Sequence, residues 1–459
     1  MNRRQFIISA GTFGLTGLGC GREVRAALAH PFSAAVSKPS FWRLAPLPPM
    51  GWNSYDNYGG SVDEVEFLRN ADVMQRQLAQ HGYEYMVLDY GWFNRFVGKG
   101  QKKRPVMDRF GRHLPAANRF ASAAGREGFK PLADKLHAMG LKFGFHLMRG
   151  IPRAAVAANL PIANSKYTAR EAADMQSTCA WNSDMYGVKG DTPAGQAYYD
   201  SVIRLYASWN TDFIKWDDLT NPYHGDEIRA IRRSLDRFGP RIVLSTSPGH
   251  TPVARAAEIE RCANMWRIRN DFWDRWPELD DMIDRVAMWK GFAGPGHWPD
   301  CDMICLGHIG TESVGGTRMT HLTMDEQRLM MTLWALAPSP LFLGMDLTKM
   351  DPWTLSLIAN QEVLAVNQDP LGAQGIRIDR QGPLELWAKK LHNGDLAMAL
   401  FNRGTINGAK ITAHWAGMGM PGRAVVRDVW NHRTLGAFAG QVHLPVAGHG
   451  ARLLRIIPA

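Results

Sequence analysis

The chain has 459 residues, 45% of them hydrophobic, and a formal charge of +10. That length exceeds one ordinary domain, and that composition excludes a disordered or fibrous chain. The positive charge is spread out, with no Lys/Arg run interleaved with aromatics; this argues against nucleic acid as a partner and suits acidic polysaccharides.

Residues 1–29 carry the marks of an export signal. Arg3 and Arg4 precede an apolar stretch from Phe6 to Gly19, and Ala27-Leu28-Ala29 offers a small-residue cleavage site. A twin-arginine start implies a bacterial protein exported already folded, to the periplasm or beyond. The apolar stretch is too short and too Gly-rich to span a bilayer, and no other is long enough. Leu18-Gly19-Cys20 faintly resembles a lipoprotein box, which would anchor the chain through Cys20. Residues 30–44 form an extension. The other cysteines, Cys179, Cys262, Cys301 and Cys305, match no zinc spacing and allow at most two disulfides.

From residue 45 to 370 short apolar runs alternate with helical stretches. The expected strands are Met50–Asn53, Tyr85–Asp89, Lys142–Leu147, Phe213–Asp217, Ile242–Ser245, Asn264–Arg267, a short one near His297–Trp298, and Pro340–Gly344. Eight strands with helices between them predict a parallel (β/α)8 barrel. Residues 371–459 change character. Short alternating runs separated by Asn393-Gly394, Asn407-Gly408 and Pro421-Gly422 predict a small antiparallel β-sandwich packed directly on the barrel.

Barrel chemistry sits at the C-terminal strand ends. Those ends carry Trp52 to Tyr55, Asp89 to Trp92, Lys215 to Asp218, Trp266-Arg267 leading to Asp271, and Trp298 to Met303. Converging carboxylates, one Lys, one Arg and several aromatics suit glycoside cleavage. One carboxylate attacks the anomeric carbon and another carboxyl protonates the leaving oxygen. The bland reading of Lys215 and Asp217 is a buried ion pair at a strand end. Asp218, one residue past the strand's last inward position, is expected to point to the other side.

At these residues the chain resembles glycoside hydrolase family 27, the α-galactosidase family. Pro48-Pro49-Met50-Gly51-Trp52-Asn53-Ser54 is similar to its opening signature, and Lys215-Trp216-Asp217 to its nucleophile motif. Trp266-Arg267 followed by Asp271 has the family's spacing to the acid/base. Gly294 to Met303 and Asn367 to Gly372 resemble two further segments. The resemblance implies a retaining, exo-acting double displacement without metal or cofactor. Asp217 would be the nucleophile and Asp271 the acid/base. Trp52, Tyr55, Asp89, Tyr90, His146, Lys215, Ser247, Arg267 and Met303 would bind the sugar, with Lys215 also keeping Asp217 ionised. Asp300 and Asp302 would order their loop. A family cysteine that would pair with Cys179 is Leu219 here, which leaves Cys179 a buried free thiol or differently paired.

Four departures fall in the sugar pocket. The family's second Asp after strand 2 is Tyr90, its stacking Trp is Tyr55, a pocket Tyr is His146, and a Glu or Ser is Ser247. A terminal α-D-galactosyl residue of an oligo- or polysaccharide is the first substrate expected. β-L-arabinopyranose, which is galactose without its hydroxymethyl group, fits the bulk of Tyr90. N-acetylgalactosamine would fit Ser247. A sugar-binding protein without catalysis is the alternative of another class.

Overall fold

The computed structural model describes residues 38–97, 104–125, 127–310, 316–420 and 422–459. The expected signal segment, the lipid box at Cys20 and Pro421 lie outside these residues. Eight parallel strands appear where the hydrophobic pattern placed them: β1 Met50–Asn53, β2 Tyr85–Leu88, β3 Lys142–Met148, β4 Phe213–Asp217, β5 Val243–Thr246, β6 Met265–Arg267, β7 Trp298–Asp300 and β8 Leu341–Leu343. Each pairs in parallel with the next from β1 to β7, and β8 pairs with β1. A parallel bridge between Ile304 and Leu343, just past β7, closes the ring. This is a TIM barrel.

Helices between the strands include α1 Glu64–Val73, α2 Lys130–Ala138, α3 Pro193–Ala207, α4 Gly225–Phe238, α5 Ala256–Ile259, α6 Trp276–Met288 and α7 Met324–Leu336; α8 Pro352–Ile358 and α9 Gln361–Asn367 follow β8. Their starts are written locally. Asp63 with Glu66, and Thr323 with Glu326, form capping boxes that satisfy the first free N–H groups of α1 and α7.

The period of two along each strand sorts side chains between two layers. On β4, Ile214 and Trp216 join the core shared with the helices, while Phe213 joins a second cluster inside the barrel with Tyr85, Val243 and Met265. Lys215 and Asp217 share the inward face of Phe213. Gly51 is dictated by close approach: a Cβ there would lie 2.3 Å from the Tyr85 carbonyl oxygen on β2.

The C-terminal unit is a β-sandwich. Its strands are β9 Ile376–Gln381, β10 Leu384–Lys390, β11 Leu396–Asn402, β12 Ala409–His414, β13 Arg423–Asp428, β14 Arg433–Ala439, β15 Gln441–Val446 and β16 Gly450–Pro458. Six form one antiparallel sheet in the order β9-β10-β11-β16-β13-β14, and β12 pairs with β15. It docks directly on the barrel. Arg403 bonds Asp280 (2.6 Å) and Asp284 (3.0 Å) of α6, and buried Lys389 donates to the carbonyls of Ala335 and Val366 near the ends of α7 and α9. These contacts fix the scaffold from behind and leave the strand ends open.

Candidate active site

The C-terminal strand ends surround a cavity of about 350 Å³, lined among others by Tyr55, Asp89, Tyr90, Lys215, Asp217, Asp271 and Met303. This volume suits a small ligand. Seven of the eleven residues singled out by sequence therefore line one cavity.

Asp89 is the anchor of one wall. Its Oδ2 accepts from Lys215 Nζ and Asn53 Nδ2, both at 2.7 Å, and its Oδ1 from the backbone N–H of Tyr90 at 2.7 Å. Burial favours the neutral acid, but the Lys215 ammonium and His146 outweigh it and hold the carboxyl well below the usual carboxylate range. Burial pulls Lys215 down as well, yet Asp89 and Asp302 hold it above its usual value, so the pair stays charged. Lys215 is thus hydrogen-bonded to Asp89 rather than to Asp217.

Asp217 is buried at the end of β4. Its Oδ2 lies 2.8 Å from His146 Nε2 on β3, and its Oδ1 has no hydrogen-bond partner among the described residues. Burial raises its carboxyl to about 6, against the pull of His146 and Lys215. His146 lies behind the carboxylate, with Trp92 Nε1 donating to its carbonyl at 2.7 Å.

Asp271 faces the same cavity from the loop after β6. Its side chain is 55% exposed, whereas that of Arg267, which donates to its Oδ1 at 3.2 Å, is 1% exposed. Arg267 also pairs with Asp302. Asp302 adopts φ 83° and accepts from the backbone N–H of Phe272 and of Met303, both at 2.7 Å, so it orders the β6 and β7 loops against each other. Burial raises its carboxyl, opposed by Arg267.

Four of the eleven are not part of the cavity lining: His146 and Arg267 touch Asp217 and Asp271, and Trp52 and Ser247 are buried elsewhere. Trp52 occupies an outward position of β1; it is fully buried against Tyr58 and Phe67 and donates to the Met345 carbonyl at 2.6 Å. Asn53, the next residue, takes the inward position. Ser247 is buried and does not line the cavity, whereas Pro248 and Gly249, which follow it in the chain, do. Asp218 takes a left-handed φ of 63° and turns its carboxylate to Arg149 Nε at 3.0 Å, while still bordering the cavity. Cys179 is a buried free thiol, as are Cys262, Cys301 and Cys305.

Sequence reasoning missed Trp181, Trp273 and Asp56, which also line the cavity. Trp181 had a signal: a lone Trp in a polar turn, here 55% exposed and edge-on to Tyr90 at 6.0 Å. Asp56 is buried and accepts from the Cys305 thiol at 3.2 Å; burial and the nearby Asp302 push its carboxyl up to about 8. Among the described residues no group of three or more His, Cys, Asp or Glu is placed to hold a metal ion, and no helix is long and apolar enough to cross a membrane.

Known proteins resemble this chain in sequence and fold. A family model described as alpha galactosidase A matches residues 185–369, and one described as the alpha galactosidase C-terminal beta sandwich domain matches residues 381–456. The α-galactosidase of Oryza sativa is 30% identical over 90% of this chain and 86% of its own, and that of Coffea arabica 32% over 90% and 95%. The chain belongs to glycoside hydrolase family 27. A solved family 27 β-L-arabinopyranosidase from Geobacillus stearothermophilus, in complex with arabinose, is 42% identical with a TM-score of 0.89, covering 92% of this chain and 100% of that one. As a family 27 member the protein is a glycosidase that hydrolyses O-glycosyl bonds, and retention is the family's general property.

Proposed function

We propose that the enzyme releases terminal β-L-arabinopyranosyl residues from an oligo- or polysaccharide, with Asp217 as nucleophile and Asp271 as acid/base. Asp217 Oδ1 attacks the anomeric carbon as the glycosidic bond breaks, and Asp271 gives its proton to the departing oxygen. Asp271 then takes a proton from water, whose oxygen displaces Asp217 and restores the anomeric configuration. Lys215 and Asp89 supply a donor and an acceptor for ring hydroxyls.

The observation that carries the choice of sugar is Tyr90. Its ring borders the cavity next to Asp89 and packs edge-on against His146 (5.6 Å) and Trp181 (6.0 Å). The ring fills room that a hydroxymethyl group needs and places no carboxylate there to accept from a 6-hydroxyl. A pentopyranose lacks that group. The similarity to the Geobacillus arabinopyranosidase supports the same choice. Terminal α-D-galactoside is the second reading, favoured by the plant relatives and by Asp89 and Lys215, which suit either sugar. Ser247, the feature that favoured N-acetylgalactosamine, is buried and does not line the cavity. The twin-arginine start at Arg3-Arg4 supports export of the folded enzyme.

Nitrophenyl β-L-arabinopyranoside, α-D-galactoside and α-N-acetylgalactosaminide test the reading. The pentoside is expected to have the highest kcat/KM. Tyr90→Asp is expected to shift the pentoside-to-galactoside ratio by about 10–200-fold toward galactoside, the range for one group in a fitted pocket. An unchanged ratio rejects the steric role of Tyr90.

The pH profile is a second expectation. Asp217 attacks only when ionised, and its carboxyl is raised to about 6. The acid limb of kcat/KM should therefore bend near pH 6, with activity lost below it. A limb near pH 4, the ordinary carboxylate range, would show that burial does not raise this group.

A further inference from the structure

A second cavity of about 440 Å³ adjoins the sugar cavity, and the two share Tyr55, Asp271 and Trp273. Its other walls are Asp274 and Arg275, just past Asp271, and Arg318 and His321, beyond β7. The junction is the acid/base. The oxygen that Asp271 protonates belongs to the leaving group, so the leaving group must extend past Asp271, into this cavity.

We propose that this cavity is the leaving-group subsite and that it takes an acidic sugar, a uronate, carrying the terminal residue; this rests on Asp271 being the acid/base. Its wall is prebuilt. Buried Asp274 accepts from Arg318 Nη1 at 2.6 Å and Nη2 at 2.9 Å, and from the backbone N–H of His321 at 2.6 Å. Both of its oxygens are thus engaged within the wall. Asp271 must be protonated when the glycosidic bond breaks, which leaves Asp274, bonded within the wall, as the other acidic residue of the lining beside the guanidinium groups of Arg275 and Arg318. Arg275 and His321 have side chains 65% and 64% exposed. Arg275 pairs with Glu278, which Arg269 Nη1 also reaches at 2.9 Å, while Arg269 Nε pairs with Asp281 at 3.0 Å. Trp273 adds a face for a pyranose ring. The accessible donors here match a carboxylate better than a neutral sugar.

The test varies the leaving group. Glycosides of nitrophenol, galactose and galacturonate are compared with both β-L-arabinopyranosyl and α-D-galactosyl donors. A wrong terminal sugar lowers every rate in its series alike and leaves the leaving-group order readable. In the wild type the galacturonate should exceed the galactose in kcat/KM, with the advantage shrinking as salt is raised. Arg275→Glu should lower the galacturonate-to-nitrophenyl ratio about tenfold or more, the value of one charge-assisted hydrogen bond. His321→Ala, at an exposed side chain, gives a second reading should Arg275→Glu disturb the helix start at Trp276. Equal kcat/KM for galacturonate and galactose in the wild type, or ratios in both variants within about twofold of wild type, would overturn the proposal.

Discussion

Asp217→Asn is expected to lower kcat by at least about 10⁴-fold, as removal of a catalytic nucleophile does, and at the same time to raise the melting temperature at pH 7. The first half follows from the geometry. Asp217 lines the sugar cavity from the inward face of β4, held by His146 Nε2 at 2.8 Å. Asp218 also borders the cavity, but its carboxylate is engaged by Arg149. A fluorinated glycosyl inactivator should therefore label the peptide at Asp217; a label on Asp218 would reassign the nucleophile. Asp217→Gly with azide should form the glycosyl azide of inverted configuration, because azide then attacks from the side the carboxylate occupied.

The second half follows from linkage. Burial raises the Asp217 carboxyl from 3.8 to about 6, so the fold prefers its neutral form. As pH rises from about 4 through about 6 the unfolded chain releases this proton first, and the wild type loses stability. Asn carries no such cost and its carbonyl still accepts from His146. The gain is on the order of 1–3 kcal/mol at pH 7 and should vanish near pH 4. Melting curves at both pH values decide it. A variant that melts below wild type at pH 7 would show that the ionised carboxylate is welcome in the site.

The barrel was legible because two independent local signals agree. Runs such as Phe213-Ile214-Lys215-Trp216-Asp217 alternate with period two, and the intervening stretches carry helix caps such as Asp63 and Thr323. The same alternation marks Asp217 and Lys215 as one face. It also had the information to reject Trp52: Asn53 and Trp52 cannot both face inward, and Asn53 is the one that reaches Asp89. Loops carry no periodicity, so Trp273 was invisible as a wall residue and Trp181 was marked only as a lone Trp in a polar turn. Ser247 lies in a loop of the same kind, where Gly249, with φ 96°, lines the cavity and Ser247 is buried. Long-range polar contacts were the least legible. Nothing local ties Arg149 to Glu227, 78 residues away.

That pair sets the other large effect. Arg149 follows β3 and is 2% exposed. Its Nε reaches Asp218 at 3.0 Å, its Nη1 reaches Glu227 at 2.6 Å and Ser177 at 3.0 Å, and its backbone N–H donates to the Asp217 carbonyl at 3.0 Å. One residue thus ties β3, α4 and the turn that carries Asp217. Arg149→Met strands two buried carboxylates, and the expected loss is about 3–5 kcal/mol. Burial already raises Glu227 to about 7 in spite of Arg149. Without the guanidinium Glu227 should bind its proton more tightly still in the fold than in the unfolded chain. Such a group costs stability above its unfolded value, so the deficit should be largest at pH 8 and shrink as pH falls below about 7. Glu227→Gln in the Arg149→Met background removes one stranded charge and should recover part of the loss, making the double change less costly than the sum of the singles. Denaturant unfolding of the four proteins at pH 6 and pH 8 measures this. A deficit independent of pH, or additive costs, would show that Arg149 acts through packing alone. Asp218 sits one peptide bond from Asp217 with a left-handed backbone, so releasing it should also loosen Asp217, and kcat of Arg149→Met should fall more than its KM changes.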